Sequence, residues 1–124
     1  MKTKRPLKNV LLVEDDPALG AVLKQVLERA DYVVESAENG RKGLERHQTA
    51  KWDVVISDRV MPEMSGEEMT KQIKMREPNL PIILITGCRE SISQPEQYDA
   101  ILIKPFRADA LLTCLSNTLE GHAI

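Results

Sequence analysis

Between Asp53 and Asp58 the chain runs Val54-Val55-Ile56-Ser57, with no alternation of apolar and polar residues until the closing acid. A short Val/Ile run between turn-like flanks reads as a strand buried on both faces. Such a strand needs cover above and below, which narrows the fold to layers of helix and sheet. It also carries Asp58 to its tip, and a carboxylate there is unusual. Buried acids are rare unless they are paired or bind a metal. The next loop, residues 59–66, holds Pro62 and Gly66 as punctuation.

Four further apolar runs alternate with helical patterns. Residues 9–13 read as a first strand ending in Glu14-Asp15-Asp16-Pro17. Residues 18–30 repeat Leu19, Val22, Leu23, Val26, Leu27 and Ala30 at three- and four-residue steps, the mark of one apolar helix face. Residues 32–37 form a short second strand, and Asn39-Gly40 signals a turn. Residues 40–49 have a weaker helical period through Leu44 and His47. Ser65 and Glu68 have capping-box spacing, so a helix starts there, with Met69, Ile73 and Met75 on its apolar side and Pro78 as its stop. Residues 81–85 are a fully apolar strand ending in Thr86-Gly87. Residues 88–98 are polar, contain Pro95 and leave room for a short helix at most. Residues 100–103 form a fifth strand before Lys104-Pro105-Phe106, and residues 109–120 a last helix with Leu111, Leu112, Leu115 and Leu119 inward. Five alternations predict a doubly wound α/β fold with a five-stranded parallel sheet.

In such a sheet all strands end at one edge, where ligands bind. Four ends deliver Glu14 and Asp15, then Asp58, then Thr86, then Lys104. Asp16 is explained as a helix cap with Pro17 behind it. Glu14 and Asp15 beside it repel one another unless a cation is present. Hard oxygen donors of this kind suit Mg²⁺, which binds through a few carboxylates and phosphate oxygens. Lys104 supplies a compact positive charge, Thr86 a hydroxyl donor, and a carboxylate such as Asp58 a nucleophile for phosphoryl transfer. Each residue alone has an ordinary structural explanation. The four strand ends together do not.

The 124 residues fit one domain, and a net charge of −2 gives no reason to expect a nucleic-acid or anionic-membrane surface. No apolar run approaches spanning length, and Lys2-Thr3-Lys4-Arg5 reads as a solvated tail, so the cytoplasm is the expected compartment. Cys88 and Cys114 lack metal-type spacing; Cys114 reads as a buried hydrophobe and Cys88 as a loop residue near the site. His47 and His122 have polar neighbours and are expected to be exposed.

The signatures Leu11-Leu12-Val13-Glu14-Asp15-Asp16, Asp53 through Asp58 with Met61-Pro62 and Gly66, Thr86-Gly87 and Lys104-Pro105-Phe106 resemble those of the receiver domains of two-component response regulators. The resemblance implies a flavodoxin-like (βα)5 receiver domain over residues 9–121, after a lead-in of residues 1–8. It implies that Asp58 accepts a phosphoryl group from the histidine of a sensor histidine kinase or phosphotransfer domain. Asp15, Asp58 and the backbone carbonyl of Val60 would hold Mg²⁺ directly, with Glu14 acting mainly through water. Thr86 and Lys104 would contact the phosphoryl group, helped by backbone amides near Arg59 and Gly87, and the Lys104–Pro105 peptide would be cis. The domain would be a switch, catalysing only its own phosphorylation and dephosphorylation. It would act on an output partner that the sequence does not name, with no direct nucleic-acid or membrane contact. A homodimer through the last helix and its neighbouring strand is a further expectation. Both a stand-alone regulator and a receiver module of a hybrid histidine kinase or multidomain regulator fit.

The chain departs from the pattern in two places. Thr86 and Lys104 are closer in sequence than usual by about one helical turn, which predicts a shortened fourth helix. Ile101 stands where an aromatic residue is usual, three before the lysine. Both bear on the signalling face more than on the chemistry. An aspartate-nucleophile phosphatase is the second reading, but Val60 occupies the position such enzymes give to a general acid. A nucleotide or flavin binder is the third, but Glu14-Asp15-Asp16 would repel a phosphate in the first loop.

Overall fold

A computed structural model describes residues 7–121; the basic tail Lys2-Thr3-Lys4-Arg5 and His122 lie outside the described residues. The apolar runs become β1 (Asn9–Val13), β2 (Val33–Ala37), β3 (Val54–Asp58), β4 (Ile82–Thr86) and β5 (Ala100–Ile103). Between and after them run α1 (Pro17–Arg29), α2 (Gly40–His47), α3 (Gly66–Arg76) and α4 (Ala108–Leu119). All strand pairs are parallel, in the order β2-β1-β3-β4-β5. This is the doubly wound α/β sheet that the alternation predicts.

Side chains of successive strand residues point to opposite faces, and the core divides accordingly. Leu11, Val13, Val55, Ile82 and Leu84 pack toward α2 and α3 with Met69 and Ile73. Val10, Leu12, Val54, Ile56, Ile83 and Ile85 pack toward α1 and α4 with Leu23, Leu27, Leu111 and Leu115. Every residue of β3 and β4 is buried. Within the predicted helix faces, Val22 and Met75 prove to be exposed, at 55% and 79%. Each has the helical spacing of its stripe but falls outside the residues that α1 and α3 bury.

The first three helices begin on capping side chains. Asp16 accepts from the amides of Ala18 and Leu19, with Pro17 at the first helical position. Asn39 accepts from Lys42 at 2.8 Å, and Ser65 from Glu68 at 3.1 Å. Each cap is worth about 1 kcal/mol. Each also fixes where a loop at the strand-tip edge ends.

The connection from β4 to β5 is where the fold is thinnest. The shortened helix expected there takes the form of two single 3₁₀ turns, Arg89–Ser91 and Pro95–Gln97. The segment has no 3.6-residue apolar period, and Pro95 cannot donate into a longer helix. Its apolar anchors are Ile92 and Tyr98, both buried in the core on the α2/α3 side. As a result all four residues of β5 remain partly exposed, and Ile101 is only a partly buried neighbour of that core.

Opposite the strand tips, one expectation is corrected. His47 is 4% exposed, not solvated, and its Nε2 lies 2.7 Å from Glu77 Oε1. The carboxylate at the end of α3 supplies the polar partner that lets the imidazole at the end of α2 be buried. Cys114 is half-buried, packed on the α1/α4 side, and Cys88 is exposed.

Candidate phosphoryl and metal site

The carboxyl ends of β1 and β3 are adjacent because Val13 pairs with Ser57 in register. That pairing sets Glu14 and Asp15 beside Asp58. One carboxylate oxygen from each of the three lies within 4.8 Å of the others. Glu14 and Asp58 are buried, at 6% and 8% exposed, while Asp15 is exposed. Lys104 arrives from the end of β5, and its Nζ lies 3.2 Å from Asp58 Oδ1 and 4.0 Å from Glu14 Oε1. Both are ion pairs, the first close and the second at the limit of contact.

These acids outnumber their partners. Glu14 Oε2 accepts from the Asp16 amide at 3.1 Å, but the buried Glu14 Oε1 has no hydrogen bond. Asp58 Oδ1 accepts from the Arg59 amide at 3.1 Å. Burial pushes the Glu14 carboxyl up to about 7, assisted by the Asp58 charge and opposed by the Asp16 amide and Lys104. Burial also raises Asp58, against the pull of Lys104. An orphaned oxygen among clustered hard donors fits a small divalent cation, whose charge would reverse both shifts.

Thr86 is buried at the tip of β4. Its hydroxyl accepts from the Cys88 amide at 3.2 Å and lies 3.3 Å from the Cys88 carbonyl oxygen. Its own carbonyl accepts from the Lys104 amide at 2.8 Å, so the two strand tips are tied. The Lys104–Pro105 peptide is cis, as the resemblance leads one to expect. Val60 stands two residues past Asp58 and is 67% exposed.

The loop after Asp58 is shaped by close approaches. A Cβ on Gly66 would lie 2.1 Å from the Asp58 carbonyl oxygen, and one on Gly40 would lie 2.3 Å from that of Met64. Only glycine lets α3 begin directly under the strand tip and α2 press on the loop. Glu63 holds φ at 68°, a costly conformation for a residue with a side chain. Arg41 at 3.6 Å and Asn39 Nδ2 at 3.4 Å hold its carboxylate.

Sequence reasoning missed Arg59 as anything but a backbone donor. Its side chain pairs with Glu67 at 3.4 Å, and its Nη2 donates to the Ser91 carbonyl at 3.1 Å. Neither partner has a fixed spacing from Arg59 that a motif could encode.

The family described as "Response regulator receiver domain" matches residues 10–116. The response regulator receiver protein CpdR of Brucella abortus is 34% identical over 117 residues, covering 91% of this chain and 98% of that protein. The transcriptional regulatory protein GlrR of Escherichia coli is 34% identical over 119 residues, 93% of this chain but 27% of that one. The chain thus spans about a quarter to a half of the transcriptional regulators it matches. The solved structure of the response regulator protein TrrA of Thermotoga maritima superposes with a TM-score of 0.84 at 30% identity, covering 90% of this chain and 99% of that one. Strand order, acidic strand tips and sequence likeness converge: this chain belongs to the response regulator receiver domain family.

Proposed function

We propose that the chain is a phosphoaccepting switch, in which Asp58 takes a phosphoryl group from the phosphohistidine of a sensor kinase or phosphotransfer domain. The observation that carries this reading is the cluster itself: three carboxylates within 4.8 Å of one another, with Lys104 Nζ 3.2 Å from Asp58. Asp15, Asp58 and the Val60 backbone carbonyl would hold Mg²⁺ directly, with Glu14 acting mainly through water. When bound, the ion neutralises charge that builds on the phosphoryl oxygens. The structure of TrrA is of a complex with Mg²⁺ and BeF, in keeping with this use of the site.

The protein groups divide the work. Asp58 supplies the attacking oxygen, and its bond to phosphorus forms as the donor's phosphorus–nitrogen bond breaks, the electron pair leaving on the imidazole nitrogen. Lys104 already sits on the attacking carboxylate and balances the charge that arrives. The Thr86 hydroxyl can turn from Cys88 to donate to a phosphoryl oxygen. Burial of Asp58 limits access of water to the acyl phosphate, and Val60 offers no polar group to position one.

The same geometry serves a stand-alone regulator and a receiver module within a longer regulator or hybrid kinase. Coverage of nearly all of CpdR favours the first and a quarter of GlrR the second. A phosphatase would need an acid where Val60 stands. Intact-protein mass after incubation with acetyl phosphate and Mg²⁺ tests the reading. One added phosphoryl group is expected, absent in Asp58→Asn and with EDTA. A product that survives in Asp58→Asn would overturn the assignment of the acceptor.

A further inference from the structure

The connection between β4 and β5 has lost its helix, yet it is held against the loop that carries Asp58. The grip comes from two side chains of the β3–α3 region. Arg59 Nη2 donates to the Ser91 carbonyl at 3.1 Å, and Glu67 Oε2 accepts from the Ser93 amide at 3.3 Å. Arg59 and Glu67 pair with each other at 3.4 Å, and both are well shielded from water, at 22% and 24% side-chain exposure. A pair this enclosed is stronger than a surface pair. Between the two gripped residues, Ile92 is buried in the core.

Arg59 also meets the acceptor. Its amide donates to Asp58 Oδ1 at 3.1 Å and to the Ile85 carbonyl at 2.9 Å. Its Nε is buried and makes no hydrogen bond. That Nε faces Glu67 Oε1 at 3.4 Å as the ion pair, so the guanidinium is divided between Glu67 and the Ser91 carbonyl.

We infer that Arg59 is the positioning residue through which the state of Asp58 reaches residues 88–98, by a clamp on Ser91 that loosens when Asp58 carries a phosphoryl group. This rests on Asp58 being the acceptor. A phosphoryl group adds about one further negative charge and three strong acceptor oxygens beside Arg59. Those acceptors compete with the Ser91 carbonyl for the guanidinium. The Ser91 and Ile92 amides are otherwise held only within one short 3₁₀ turn, by the Cys88 and Arg89 carbonyls at 3.3 and 3.2 Å, so the segment opens readily once the clamp loosens. The switch then acts through release of a polar clamp, in a chain whose helix at this place is missing and whose position 101 carries Ile.

Amide hydrogen exchange read by NMR, with and without Mg²⁺ and beryllofluoride, tests this. In the wild-type protein the Ser91, Ile92 and Ser93 amides should exchange about tenfold faster with beryllofluoride, the worth of one charge-assisted hydrogen bond. In Arg59→Ala they should exchange fast from the start and change less than about twofold on addition. Glu67→Gln, which keeps an acceptor for Ser93 but removes the ion pair, should fall between. Peaks of Thr86 and Lys104 must still shift in both variants, which shows that the site is filled. Unchanged or slower exchange at Ser91–Ser93 in a filled wild-type site overturns the clamp. So does a wild-type response in Arg59→Ala. No shift at Thr86 and Lys104 in the wild-type protein would instead overturn the acceptor reading beneath it.

Discussion

The two ends of this sheet both carry carboxylates and treat them in opposite ways. Where the strands begin, Asp53 Oδ2 accepts from the Asn9 amide at 2.6 Å, and Asp99 Oδ1 accepts from the Ile82 amide at 2.9 Å. Each aspartate fastens the first amide of the neighbouring strand. Lys74 pairs with Asp99 at 3.6 Å and donates to the Leu80 carbonyl at 2.8 Å, and Glu77 meets His47. Where the strands end, Glu14 Oε1 is buried without a hydrogen bond, and the acids crowd one lysine. The first end uses its charges to hold strands in register. The second gathers more negative charge than its one lysine balances, which costs stability there.

The largest expected effect is a pH slope at the strand tips. Unfolded, Glu14 loses its proton near 4.5; folded, near 7. Between those values the folded state holds more protons, so metal-free stability falls as pH rises. This group's share is up to about 3 kcal/mol, complete above pH 7. Asp58, also raised, adds in the same direction. Urea denaturation of Glu14→Gln at pH 5 and pH 8 should show a shallower loss than wild type, and saturating Mg²⁺ should narrow the gap. If Glu14→Gln is no more stable than wild type at pH 8, the tip acids are not in excess and the contrast between the ends fails.

The next effect lies at the other end. Asp53→Ala removes a charge-assisted hydrogen bond and should cost about 1–3 kcal/mol, with phosphoryl uptake from acetyl phosphate unchanged in extent. Equal loss of uptake would mean that the two ends are not separable. The smallest effect sharpens the same point. Trp52 precedes β3, so it is about 20 Å from the Asp58 tip at strand rise, with Nε1 bonded to the Arg46 carbonyl at 3.3 Å. Its emission should hardly change on addition of Mg²⁺; a large change would show that the ends communicate.

The sheet and its site were legible because both depend on local pattern. Short apolar runs between capped helices can pair in few ways, and the residues just past each run must meet at one edge. Asp16, Ser65 and the acids of β1 and β3 stand where that logic puts them. The features that stayed hidden depend on partners far along the chain. His47 reads as polar and exposed until Glu77, thirty residues on, is brought beneath it. Asp53 and Asp99 look like flanking turn residues until the neighbouring strand's first amide is placed against them. Arg59 has no pattern at all, because its partners Glu67 and Ser91 belong to a helix start and to a segment without periodicity. Val22 and Met75 show the reverse error, where a correct period says nothing about which of its residues are buried.

Strand order also sets the sequence of assembly. Glu14 and Asp15 follow β1 and Asp58 ends β3, neighbours in the sheet, whereas Lys104 comes after β5, an edge strand that pairs with β4 alone. During synthesis the β1–β3 half of the sheet can form before β5 has left the ribosome. A nascent chain can therefore bring its three carboxylates together before the lysine that faces Asp58 arrives.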